Sequence, residues 1–184
     1  GNKTVASASV NVRDTTPPVA LCRDLELFLD KKGEVYISPE MVETDTWNTI
    51  PLYGDLSVFT RGSYDACGIV SMSVDKIKFT CSNLVENMVT LSVTDRNGNT
   101  STCTSTVTIK DNIAPVITNV ADIEIEVLPG ICETTIEYPE IVVSDNCNVK
   151  LEQIEGLGAN EMFPLGTTTE TWEATDAAGN TTEV

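Results

Sequence analysis

The run Val89-Thr90-Leu91-Ser92-Val93-Thr94-Asp95-Arg96-Asn97-Gly98-Asn99 decides the fold class. Through Val93 apolar and polar residues alternate, the period of a strand with one buried and one wet face. Asn97-Gly98 then supplies a hairpin turn, with glycine taking the positive φ. The signature returns as Ala174-Thr175-Asp176-Ala177-Ala178-Gly179-Asn180. Val70, Met72 and Val74 alternate with serines, and Ile123, Ile125 and Val127 alternate with Asp122, Glu124 and Glu126. Turn signals at Lys32-Gly33 and Pro129-Gly130 separate such runs, and no 3.6-residue period competes. These patterns predict an all-β chain of tandem immunoglobulin-like β-sandwich modules.

Outward from this stretch the chain repeats itself. Gly1 through Asp14 aligns with Gly98 through Asp111 at a constant offset of 97 (98 − 1 and 111 − 14), and the same offset carries Pro18-Val19 onto Pro115-Val116. Later landmarks shift by about 80, so Asp65-Ala66-Cys67 falls on Asp145-Asn146-Cys147. The predicted organisation is the last strand of a preceding module over 1–13, a full module over 14–110 with an insertion near 44–60, and a second module over 111–184 that lacks its last strand. Such periodic arrays stack units with nearest-neighbour contacts. The start at Gly1 reads as a cut inside a longer protein.

Composition narrows the chemistry. The 184 residues include no histidine, which removes Ser/His/Asp triads, Cys/His pairs and His-ligated zinc. The net charge of −17 repels phosphate backbones and anionic lipid surfaces, so no nucleic-acid or peripheral membrane role is expected. Cations remain suitable partners. Residues 1–111 carry 10 basic and 14 acidic groups (−4), and 112–184 carry 1 and 14 (−13), so the second module is the acidic one. No sequence feature holds two of these carboxylates across a cleft, as glycoside hydrolysis would require, and no enzyme is expected. No apolar stretch approaches the roughly 18 residues of a membrane helix.

Six cysteines without histidine or a tight CxxC pair point to disulfides and an oxidising, extracellular compartment. In the repeat alignment the second module lacks the counterparts of both Cys22 and Cys103, Cys67 matches Cys147, and Cys81 and Cys132 stand alone. The simplest assignment is Cys22–Cys103, Cys67–Cys81 and Cys132–Cys147.

The strand order would gather Asp111, Asn112, Asp145, Asn146 and Asp176 at one pole, with Asp14, Asp65 and Asp95 as the equivalent set. Hard oxygen donors from several loops suit Ca²⁺ at module junctions; the competing reading is that each Asp or Asn makes its own turn. Asp95, Asn97 and Asn99 also have calcium-loop spacing, but the second copy puts Ala178 at the third position, which favours a turn. Trp47, Tyr53 and Phe59 cluster in the insertion, where they would either pack over the sandwich edge or contact a sugar or protein partner. Trp172 occupies the place of Leu91 and is expected in the core. Glu170 falls where the pattern has Val89, without explanation from sequence. Asn2, Asn99 and Asn180 head glycosylation sequons at one repeated position, which the turn motif accounts for.

Asp111-Asn112-Ile113-Ala114-Pro115, Ser144-Asp145-Asn146-Cys147, Phe163-Pro164-Leu165-Gly166-Thr167-Thr168 and Asp176-Ala177-Ala178-Gly179-Asn180 make the second module resemble the hyalin repeat family. Ser63-Tyr64-Asp65-Ala66-Cys67-Gly68-Ile69 and Phe79-Thr80-Cys81-Ser82 make the first module similar to repeats of giant Bacteroidota surface adhesins, gliding-motility adhesins among them. The second module lacks that family's first and last cysteines, and the first lacks the Phe-Pro-Leu-Gly segment. The resemblance implies an immunoglobulin-like fold, no catalytic residues, and a stalk or adhesion role at the cell surface. Its partners would be neighbouring repeats and surface glycans or proteins. The alternative is a carbohydrate-binding or spacer module accessory to a secreted enzyme.

Overall fold

A computed structural model describes residues 1–44, 47–51 and 57–184; between residues 45 and 61 only the backbone of 47–51 and 57–61 is described. The chain is almost entirely β. Its first part contains β1 (Leu25–Phe28), β2 (Glu34–Tyr36), the short helix α1 (Pro39–Val42), β3 (Trp47–Pro51), β4 (Ser57–Arg61), β5 (Ile69–Val74), β6 (Lys78–Thr80), β7 (Val85–Asp95) and β8 (Thr100–Lys110). There follow β9 (Val116–Thr118), β10 (Glu133–Thr135), β11 (Val142–Ser144), β12 (Val149–Glu155), β13 (Met162–Pro164), β14 (Thr171–Asp176) and β15 (Thr181–Glu183). One sheet has the order β1-β8-β7-β5 and another β12-β14-β15, while β2·β6, β3·β4, β9·β11 and β10·β13 form two-stranded ribbons.

The chain divides into two compact units, one of residues 1–25, 37–77 and 88–107, the other of 26–36, 78–87 and 108–184. In the first, the alternation that opened the sequence reading is realised residue by residue: Val89, Leu91 and Val93 of β7 are fully buried, as are Val107 of β8 and Val42 of α1. Each fully buried aliphatic side chain contributes on the order of 1.5–3 kcal/mol. Val70 departs from its expected buried face and is 64% exposed. Between Ile69 and Ser71, β5 advances two residues against one on β7, and this bulge turns Val70 outward while Met72 and Val74 keep register with Val93 and Leu91.

In the second unit Leu29, Phe79, Ile109, Phe163 and Ala174 are buried. The strand expected around Ile123, Ile125 and Val127 does not form, and Ile123 and Ile125 lie 41% and 48% exposed. Their counterparts at offset 97, Leu25–Phe28, form β1 because β8 pairs with them. Alternation without a partner strand leaves the backbone groups unpaired, and no strand results.

Candidate functional site

The Asp-x-x-Gly-Asn motif builds the same device in both units. In the first, Asp95 Oδ1 accepts the N–H groups of Asn97 and Asn99 at 2.8 and 2.9 Å, and Asp95 Oδ2 accepts Asn99 Nδ2 at 2.7 Å. Asn99 Nδ2 also reaches the carbonyls of Asp14 and Thr16 at 3.4 and 3.3 Å. In the second, Asp176 Oδ1 accepts from the N–H groups of Ala178 and Asn180, and Asp176 Oδ2 accepts Asn180 Nδ2 at 2.7 Å. Asn180 Nδ2 reaches the carbonyls of Asp111 and Ile113, both at 3.2 Å. Each asparagine thus clasps an upstream segment, Asp14–Thr16 or Asp111–Ile113, and each aspartate orients the clasp. Asp95 and Asp176 are nearly fully buried. Burial pushes the Asp95 carboxyl up, but the bonds donated by Asn99, Asn97 and Gly98 outweigh it and hold the group below its usual value. With the amide nitrogens so engaged, the sequons at Asn99 and Asn180 serve the turn.

Of the proposed oxygen ligands, a smaller set converges. Asp14, Asp65 and Cys67 bring one donor atom each within 4.8 Å, as do Asp111, Asp145 and Cys147. Asp95 and Asp176 spend their oxygens on the clasps, and Asn112 is exposed outside the cluster. Around the second cluster Asp111 accepts Ile113 N–H and Asn146 Nδ2, and Asp145 Oδ2 accepts Cys147 N–H at 2.8 Å. Asp145 Oδ1 and Asn146 Oδ1 are buried and accept nothing among the described residues. The orphaned oxygens of Asp145 and Asn146, beside the Asp111 carboxylate, fit a hard cation that takes oxygen ligands. The first cluster differs, since Ala66 replaces Asn146. There the Thr16 N–H, and after it the Cys67 thiol, hold the Asp14 carboxyl below its usual value. Reciprocally, the hydrogen bond to Asp14, burial, and the charges of Asp14, Asp65 and Asp95 push the Cys67 thiol up.

The disulfides correct the sequence assignment. Cys22–Cys103 is formed as expected, with Cα atoms 5.9 Å apart. Cys67–Cys81 and Cys132–Cys147 are not formed: Cys81 bonds Cys147, Cα atoms 5.6 Å apart, and Cys67 and Cys132 are free and exposed. Pairing by repeat position assumed that each module closes on itself. In the second unit the turn before β2 instead meets the loop after β11, where Asn146 Nδ2 donates to the Asp30 carbonyl. The signal in the sequence was Gly33. At φ +70° a Cβ there would lie 2.5 Å from the Asn146 carbonyl oxygen and 2.7 Å from Cys81 Sγ, so only glycine admits the approach.

Glu170, unexplained by sequence, accepts Gln153 Nε2 at 2.5 Å and the N–H groups of Leu157 and Gly158 at 2.8 and 3.0 Å, organising the β12–β13 loop. Beside it runs a cleft of about 960 Å³ between the irregular segment that holds Ile123 and Ile125 and the side chains of Tyr138, Phe163 and Trp172. Trp172 is half-buried on its wall rather than in the core. The Tyr138 hydroxyl is pushed up to about 12 by burial and by the Glu170 carboxylate, though it makes no hydrogen bond of ordinary geometry. Trp47 and Phe59 belong to β3 and β4, while their side chains and all of Tyr53 lie outside the described residues. The two disulfides go with an oxidising environment, and no helix among the described residues is long and apolar enough to cross a membrane. No protein-family model matches the chain.

Proposed function

We propose that this chain is a non-enzymatic stalk and adhesion segment of a large secreted surface protein, built of tandem immunoglobulin-like modules over 14–110 and 111–184; residues 1–13, expected as the last strand of a preceding module, form no strand in this structure. The observation that carries the reading is the Cys81–Cys147 bond, which joins the end of the β2·β6 ribbon, within 14–110, to the loop after β11, within 111–184. Its mechanism is mechanical. The two disulfide loops overlap, so tension crosses from Cys22 to Cys103, returns along 22 residues to Cys81 (103 − 81 = 22) and crosses to Cys147. A span of 125 residues (147 − 22 = 125) is shortened to those 22, which hides about 350 Å of chain at roughly 3.3–3.6 Å per residue. Pulling the protein by its ends with and without a thiol reductant tests this: reduced traces are longer by about 350 Å. Equal lengths would remove the stapled stalk.

Ca²⁺ held by Asp111, Asp145 and Asn146 would stiffen the same junction, since it would satisfy the two orphaned oxygens. Millimolar Ca²⁺ then raises Tm, EDTA reverses the rise, and Asp145→Asn abolishes it. A Tm indifferent to Ca²⁺ and EDTA would leave the junction to the disulfide alone.

A further inference from the structure

Cys67 occupies the seat that Cys147 occupies one repeat later. Each follows an aspartate whose carboxylate accepts its N–H, Asp65 at 2.7 Å and Asp145 at 2.8 Å, and each lies with a second aspartate, Asp14 or Asp111, from the module entry. Cys147 is bonded to Cys81, whereas Cys67 is free and exposed. Cys132 lies beside the position that matches the other side of that bond. The registers Val35↔Phe79 and Thr134↔Phe163 place Leu165 where the β2·β6 ribbon has Cys81 and Cys132 where it has Gly33, and Leu165 N–H donates to the Cys132 carbonyl at 3.1 Å. The β10·β13 ribbon therefore carries a cysteine at the end equivalent to that of Cys81, on the adjacent chain segment. Exposed unpaired thiols are out of place in a chain that otherwise bonds its cysteines in an oxidising compartment.

We propose that Cys67 and Cys132 are the two open ends of a serial disulfide, each bonded in the assembled protein to a cysteine of the adjoining repeat in the manner of Cys81 and Cys147. The inference rests on the stalk reading and adds that the repeats are stapled to one another in series. The oxidant is a disulfide compound, either a thiol oxidoreductase or glutathione disulfide. A Cys132 thiolate attacks one sulfur of that disulfide and expels a thiolate. The Cys67 thiolate of the adjoining repeat then attacks the mixed disulfide, the new S–S bond forms, and a second thiolate leaves. Two thiol protons are released and the oxidant is reduced by two electrons.

A second copy of the chain can supply the adjoining surface, so glutathione disulfide with the 184-residue protein is a sufficient test. Wild type forms a ladder of linked copies, while Cys67→Ser and Cys132→Ser each lose it and remain monomeric. An equimolar mixture of the two variants recovers a dimer, in which peptide mapping finds Cys67 bonded to Cys132. Mapping of Cys22–Cys103 and Cys81–Cys147 in every sample confirms that the variants are folded. The proposal is overturned if either single variant dimerises as fast as the mixture, if the mixture stays monomeric, or if Cys67 maps to Cys81. Traces of the doubly substituted protein under tension involve neither thiol, so the stalk reading stands or falls separately.

Discussion

The β7–β8 and β14–β15 hairpins turn on the same motif with the same asparagine clasp; β8 runs for eleven residues, and β15 for the three that precede Val184, the last residue of the sequence. The sheet orders correspond as far as they go: β5-β7-β8 in one, β12-β14-β15 in the other. Beyond that point β1 is held against β8, while 122–127, its counterpart, stays irregular above an open cleft. Local chemistry sets the turn and the clasp. A flanking strand also needs a long central partner to satisfy its backbone, and apolar alternation does not replace one.

The largest test of that difference lies in equivalent core positions. Leu91 is fully buried, and Leu91→Ala should cost about 2–5 kcal/mol through lost transfer energy and a cavity. Trp172 stands at the matching place on β14 but lines the cleft, so Trp172→Ala should cost less than Leu91→Ala, far below the roughly 3–5 kcal/mol of a fully buried tryptophan. Denaturant unfolding of both variants measures it. A larger loss at Trp172 would mean that the cleft is closed in solution, and the comparison would break. Amide exchange supplies the backbone version, with slow exchange at β1 and fast exchange at 122–127.

The clasps should instead behave alike. Asn99→Ala and Asn180→Ala each remove three bonds from one amide nitrogen, two of them to carbonyls of the upstream segment. Each substitution should lower stability by on the order of 1–3 kcal/mol. Asn99→Asp should not rescue, because it places a second carboxylate against Asp95. If one position tolerates alanine while the other does not, the two poles are not the same device.

What was legible in the sequence follows the range of the interactions. The hairpin turns, the strands at Val89–Val93 and the Cys22–Cys103 bond depend on local pattern or on one repeat's internal order, and they could be read. The bulge that exposes Val70 repeats in β12, where Ile154 is the extra residue between Gln153 and Glu155, yet a two-residue period carries no mark of an added residue. Cys81–Cys147 joins residues 66 apart and depends on which loop approaches Gly33. Glu170 breaks the apolar pattern because it caps a loop formed by Leu157 and Gly158, which the alternation of its own strand does not register. Of the acidic residues expected together, Asp14 lies with Asp65 and Asp111 with Asp145, and only the hydrogen bonds set the clasping Asp95 and Asp176 apart from them.

The smallest expected effect lies in the pH dependence of stability. Asp95 and Asp14 are held below the usual carboxylate value, so they bind protons more weakly folded than unfolded. The stability they contribute is complete above the unfolded value near 3.8 and is lost as pH falls through their folded values. Tyr138 has the opposite sign: its folded value, about 12 against the ordinary 10, means the unfolded chain ionises first. Its contribution is intact below pH 10 and is lost between about 10 and 12. Acid should therefore loosen the Asp95 clasp and alkali the cleft wall around Tyr138, with a flat plateau between. Melting at stepped pH checks this with two substitutions. Asn99→Ala should flatten the acid limb, since it removes the amide nitrogen whose bond to Asp95 helps depress that carboxyl. Tyr138→Phe should flatten the alkaline limb, since it removes the hydroxyl that burial and Glu170 keep protonated. An unchanged alkaline limb in Tyr138→Phe would show that the hydroxyl is wet, and that the wall of the cleft is less closed on this side than Phe163, packed edge-on to Tyr138 at 6.1 Å, implies.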